Sequence, residues 1–103
     1  MTTRNVHFFL APDDMIGSFY FRDTPQALEQ VRARRADYRL AGMIPTDLVG
    51  EEAAEMVFDL SNNPSKETLK ESMGWVGRSF SVGDIVVVDG VEWICLSVGW
   101  AKL

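Results

Sequence analysis

Two side chains in this sequence are of types that do nucleophilic or proton-transfer chemistry, His7 and Cys95, and each is the sole member of its kind. Cysteine–histidine catalysis needs the two within hydrogen-bond reach and a third group to orient the base. Here they stand near opposite ends of the chain, and no motif brings them together. Cys95 lies in the apolar run WICLS, which suits a small core residue. His7, between Val6 and Phe8, reads as an ordinary strand position. One histidine and one cysteine cannot complete a zinc site without carboxylates. The adjacent acids Asp13-Asp14 and Glu51-Glu52 lack further ligand spacing and read as solvated surface. Gly74, Gly77, Gly83 and Gly90 form no phosphate loop, because no glycine-rich string runs into a Lys-Ser/Thr pair at a helix start. The chain therefore reads as non-enzymatic, with no catalytic residue, no metal and no cofactor.

What remains is binding chemistry, and it follows charge. The net charge is −5, unevenly placed. Residues 1–46 carry six arginines against five acids, whereas residues 47–103 carry ten acids against four basic residues. Asp47, Glu51, Glu52, Glu55 and Asp59 form the densest acidic stretch, with no basic residue among them. Phosphate neutralisation needs clustered Lys and Arg, so such a chain is a poor general nucleic-acid binder. Its acids serve solubility, or they meet a basic protein surface. Arg32, Arg35 and Arg39 are spaced to share one helical face and make the alternative, a nucleic-acid contact. Glu29 and Asp37 on the same helix offer these arginines ordinary surface pairing instead. Of the three tryptophans, Trp93 and Trp100 suit a core. Trp75, beside Met73 and Val76 in a glycine-punctuated loop, is the one expected to be exposed and available to a partner.

The elements that must position these residues are those of one domain, residues 1–103. The composition, 47% hydrophobic and 24% charged, is that of a folded chain with one modest core. No apolar run approaches the ~18 residues of a membrane span. The apolar stretch near the N-terminus is too short for a signal peptide, and the single cysteine allows no internal disulfide. The expected location is cytoplasmic. Residues 5–10 (NVHFFL) and 18–22 (SFYFR) alternate as strands and are expected to pair across the turn chemistry of residues 11–14. Thr24-Pro25 opens a helix expected to run to Ala41-Gly42, with Ala27, Leu28, Val31 and Tyr38 on its apolar stripe. Residues 43–49 are extended or loop, and Pro45 confines any strand there to a sheet edge. A second helix is expected over residues 51–61, terminated by Asn62-Asn63-Pro64, with a further helical turn or two over 65–72.

Residues 79–103 carry the strongest local signal. Val82-Gly83-Asp84 leads into a strand, Asp89-Gly90 is a two-residue hairpin turn of the kind that needs positive φ, and a short third strand follows. Pairing Val88 with Val91 puts Ile85, Val87, Ile94, Leu96 and Val98 on one face. Val86, Val88, Val91, Trp93 and Cys95 take the other. Both faces are apolar, so both need a cover. The helices would supply one. The N-terminal strands, the loop at 73–78 or a second copy of the chain would supply the other. The expected architecture is α+β: a small, mainly antiparallel sheet of N-terminal strands and C-terminal hairpin, with two helices packed on one face.

The segment RSFSVGDIVVVDG…WIC…SVGWAKL, residues 78–103, resembles the C-terminal segment of YodL-like small proteins encoded on plasmids, integrative elements and phages. That resemblance implies a mobile-element accessory protein in a bacterial cytoplasm and transfers no site residue. The leading expectation is a protein-interaction module, with Glu51, Glu52, Glu55, Asp59 and Trp75 facing a host or mobile-element protein. One concrete version is an acidic inhibitor of a nucleic-acid-binding or defence protein.

Overall fold

The computed structural model describes residues 4–15, 24–72, 74–96 and 99–103. Its centre is β1 (Arg4–Leu10), which pairs antiparallel with β2 (Arg39–Thr46) on one side and β3 (Ile85–Val88) on the other. The hairpin continues through β4 (Val91–Cys95) to β5 (Trp100–Lys102), giving a five-stranded antiparallel sheet of order β2-β1-β3-β4-β5. Val88 pairs with Val91 across Asp89 (φ 51) and Gly90 (φ 78), as the turn chemistry predicts. The expected strand over residues 18–22, and its hairpin with β1, lie outside the described residues.

The partner of β1 is instead a segment expected to be partly helical. α1 (Thr24–Arg34) ends earlier than its periodicity suggests, in a 3-10 turn (Arg35–Asp37), and the chain is extended from Tyr38. Gly42 is therefore not a helix cap. It lies in β2 opposite Phe8, next to a bulge between Phe8 and Phe9. Glycine and Pro45 are poor helix formers, and pairing with β1 satisfies the backbone of this stretch better than further helix would. Pro45 does sit on an edge strand, as expected. The edge is blunted further by Val76, whose N–H donates to the Ala41 carbonyl at 2.9 Å.

α2 (Gly50–Asn62) extends one residue beyond the expected span at each end, followed by a 3-10 turn (Pro64–Lys66) and α3 (Glu67–Ser72). Ala53, Ala54, Val57, Leu60 and Ser61 are buried on its inner side. Ala53, Ala54 and Val57 pack with Val6, Phe8, Val86, Val88, Cys95 and Phe80. On the opposite face of the sheet, Ile85 and Ile94 pack with Val31 of α1, Met15 and Tyr38. The hairpin thus has the two apolar faces its sequence implies, and the helices divide between them instead of sharing one. Strand side chains alternate, so covering both sides takes one helix each. No second chain is required for that cover.

The layers are joined at Asp84, which exposes no surface. Its carboxylate meets Arg78 and the backbone of Ala11 and Ser81. Nearby, the Tyr38 hydroxyl donates to the Gly83 carbonyl at 2.6 Å. Among the described residues, no helix is long and apolar enough to cross a membrane.

Candidate interaction surface

α2 positions the acidic residues singled out above. With one side held against the sheet by alanines and Val57, the helix turns Glu51, Glu52, Glu55 and Asp59 outward, and all four are exposed. Glu51 and Glu52 occupy the first turn, where unpaired backbone N–H groups favour negative charge. Asp59 has a local partner. Lys66 donates to it, with Asn63 adding a long contact at 3.4 Å, and the Lys66 hydrogen bond holds the Asp59 carboxyl below the usual carboxylate range. Among the described residues, no cation pairs with Glu51, Glu52 or Glu55. Arg4, Arg34, Arg35, Lys66 and Arg78 are all engaged with other acids.

Glu55 makes a contact of a different kind. Its Oε2 accepts a hydrogen bond from the indole Nε1 of Trp100, at 2.7 Å. Trp100 leans on Phe80, with ring centroids 5.8 Å apart. The two residues stand at the mouth of a groove of about 220 Å³, whose walls include Phe58, Val82, Cys95 and Leu96. Trp100, expected in the core, is half-buried and packs against it, as does Phe58. The spacing of Glu55 and Phe58, three apart on one helix, was the available signal that both border the same feature.

Trp75 is not the exposed ring expected. It stacks on Phe8 at 4.5 Å with an interplanar angle of 18°, and its Nε1 donates to the Arg78 carbonyl at 2.8 Å. The Lys70 amine lies 5.3 Å from the ring centroid. A large aromatic beside a fully buried phenylalanine lowers its free energy by covering it. Its neighbour Val76 is exposed instead, at 68%.

The arginines do not share a helical face. Arg32 is on α1, Arg35 in the 3-10 turn and Arg39 on β2. Arg35 pairs with Glu92 at 2.9 Å, its guanidinium 4.4 Å from the Phe9 ring centroid. Arg34 is held by Asp14 and Asp37, each at 2.8 Å, and the Arg34 hydrogen bond lowers the Asp14 pKa. His7 and Cys95 lie on opposite faces of the sheet, since His7 alternates with Phe8 while Cys95 packs in the Phe8 cluster. Burial pushes the Cys95 thiol up to about 12, which keeps it protonated and unreactive near neutrality. Among the described residues, no three His, Cys, Asp or Glu side chains are grouped to hold a metal ion.

No family model, curated protein or solved structure significantly matches the chain.

Proposed function

We propose that this chain is a non-enzymatic protein-interaction module that presents the acidic face of α2 to a basic surface on a partner protein. Following the resemblance of residues 78–103, it acts as an accessory protein of a bacterial mobile element, in the cytoplasm, against a host or element-encoded protein. An inhibitor that occupies a nucleic-acid-binding or defence protein's basic surface is its most concrete form. The observation that supports the reading is the set Glu51, Glu52 and Glu55, exposed on one helix and without a cation partner among the described residues, while five basic side chains are engaged elsewhere. The helix start favours Glu51 and Glu52, but Glu55 lies beyond the first turn and adds a like charge one turn from Glu51, which folding alone gives little reason to place there. Opposite fields steer association and set its specificity.

The test is affinity capture from a bacterial lysate with the immobilised wild-type chain and a Glu51→Lys/Glu52→Lys/Glu55→Lys variant. The reading expects a small set of proteins with basic surfaces, retained by the wild type and released by the variant or by salt. An empty eluate, or equal retention on both columns, would remove it.

A further inference from the structure

Resting on that reading of α2, we infer that the groove at Glu55 and Trp100 receives one large apolar side chain of the partner, flanked there by a Lys or Arg that meets Glu55. At about 220 Å³ the groove is smaller than the ~300–1,000 Å³ of small-molecule sites, and it suits a single side chain. Phe58, Val82, Leu96 and Trp100 give it apolar walls, and Glu55 supplies its carboxylate. The Trp100 N–H grips Oε2 of that carboxylate, while Oε1 accepts nothing among the described residues. The side chain is thus oriented in advance, with acceptor capacity left over for a cation. Fixing a rotamer before binding reduces the ordering entropy lost on association. Glu51 lies one turn before Glu55 on the same helix and adds to the negative potential. An apolar pocket beside an oriented charge is the anatomy of a binding hot spot.

Charge decides the occupant. A second copy of this chain would bring a net charge of −5 to an acidic face, and most of its arginines are engaged by its own acids. The fitting occupant is a segment of a different, basic protein. Cys95 contributes contact only, its thiol staying protonated.

The experiment uses fluorescently labelled synthetic peptides, lysine- and arginine-rich and free of tryptophan, with one central residue varied among Leu, Phe and Ala. Binding to the full chain is followed by anisotropy, and groove occupancy by tryptophan emission. The Leu and Phe peptides are expected to bind at least about tenfold tighter than the Ala peptide. They are expected to shift the emission of the wild type and not of Trp100→Phe, and to weaken on Glu55→Gln. The varied peptide carries the test by itself should Phe58→Ala, which removes a groove wall, fail to fold. Equal, salt-sensitive binding of the Leu and Ala peptides would overturn the apolar anchor and leave the acidic-face reading standing. Leu-peptide affinity undiminished by Glu51→Lys/Glu52→Lys/Glu55→Lys would overturn the paired cation, and the acidic face with it. No binding of the Leu and Phe peptides at millimolar concentration and low salt would overturn the proposal, with the acidic face still judged by lysate capture.

Discussion

Arg78 meets Asp84 with both terminal guanidinium nitrogens, at 2.6 and 2.7 Å, in a place where Asp84 is wholly removed from solvent. The same carboxylate accepts from the backbone N–H groups of Ala11 and Ser81, each at 2.7 Å. Arg78 also donates to the Ala11 carbonyl at 3.2 Å. One ion pair thereby ties the segment after β1 to the loop before β3. The hydrogen bonding of Arg78 to Asp84, which accepts, is the largest reason the Arg78 pKa is raised.

Removing one partner of a buried pair leaves the other uncompensated, which costs about 3–5 kcal/mol. Arg78→Ala is expected to lose that much in urea denaturation, a large share of the stability of a domain this size. An Arg78→Leu/Asp84→Ala double variant should recover part of the loss, and a double-mutant cycle measures how much.

Stability should fall at alkaline pH. The folded thiol of Cys95 titrates near 12, against an ordinary value of 9.0. Its contribution is whole below pH 9 and lost as pH rises toward 12, because the unfolded chain releases the proton first. The slope for one such group is about 1.4 kcal/mol per pH unit. Burial also raises the Tyr38 hydroxyl above its ordinary 10.0, which adds to the fall in the upper part of the range. Urea midpoints measured from pH 8 to 11 should decline, and Cys95→Ala should flatten the first part of the decline.

Gly42 faces the ring it packs on. A Cβ there would stand 2.7 Å from Cε2 and 2.9 Å from Cζ of Phe8, which is fully buried and backed by Trp75. Because Phe8 can move aside only by disturbing its stack on Trp75, Gly42→Ala is expected to destabilise by about 1–3 kcal/mol through overpacking. Trp75 emission should change in the same variant, since the stack must shift.

The acidic face should be dispensable for folding. Glu51→Gln, Glu52→Gln and Glu55→Gln remove charge and keep shape, and Gln at 55 still accepts from Trp100. Each is expected to leave stability within about 0.5 kcal/mol, as surface changes usually do. Thermal melts of the triple variant check this, so that lost partner binding cannot be ascribed to unfolding.

Short-range features of this fold are readable from residue order. The Asp89-Gly90 turn sets the register of β3 and β4. The apolar alternation around it separates Ile85, Val87, Ile94 and Leu96 from Val86, Val88, Trp93 and Cys95 as observed, whereas Val91 is exposed and Val98 lies outside the described residues. The spacing of Ala53, Ala54, Val57 and Leu60 delimits α2 almost to the residue. What failed to show was decided at long range. The extended state of residues 39–46 depends on β1, so helical periodicity through Tyr38 misleads. Asp84 reads as a turn residue because its partners at Ala11 and Arg78 lie in other segments. The acids of α2 were visible as a helical row, whereas the bond from Trp100 to Glu55 spans 45 positions and leaves no local trace. Trp75 looked exposed for a related reason, since nothing nearby in sequence points to Phe8.

The place of β1 between β2 and β3 also sets an order of events in synthesis. His7 finds its opposite number at Val87, so the central strand stays half-paired until synthesis has passed residue 87. At roughly 5–20 residues per second, this is a wait of several seconds. During that time β1 and β2 can pair, but α2 has no completed sheet to lie on, and Val6 and Phe8 remain open to water. Contacts this distant in sequence slow folding. A nascent chain that stalls before residue 85 would therefore expose half of a hydrophobic core, and the hairpin of β3 and β4 is what closes it.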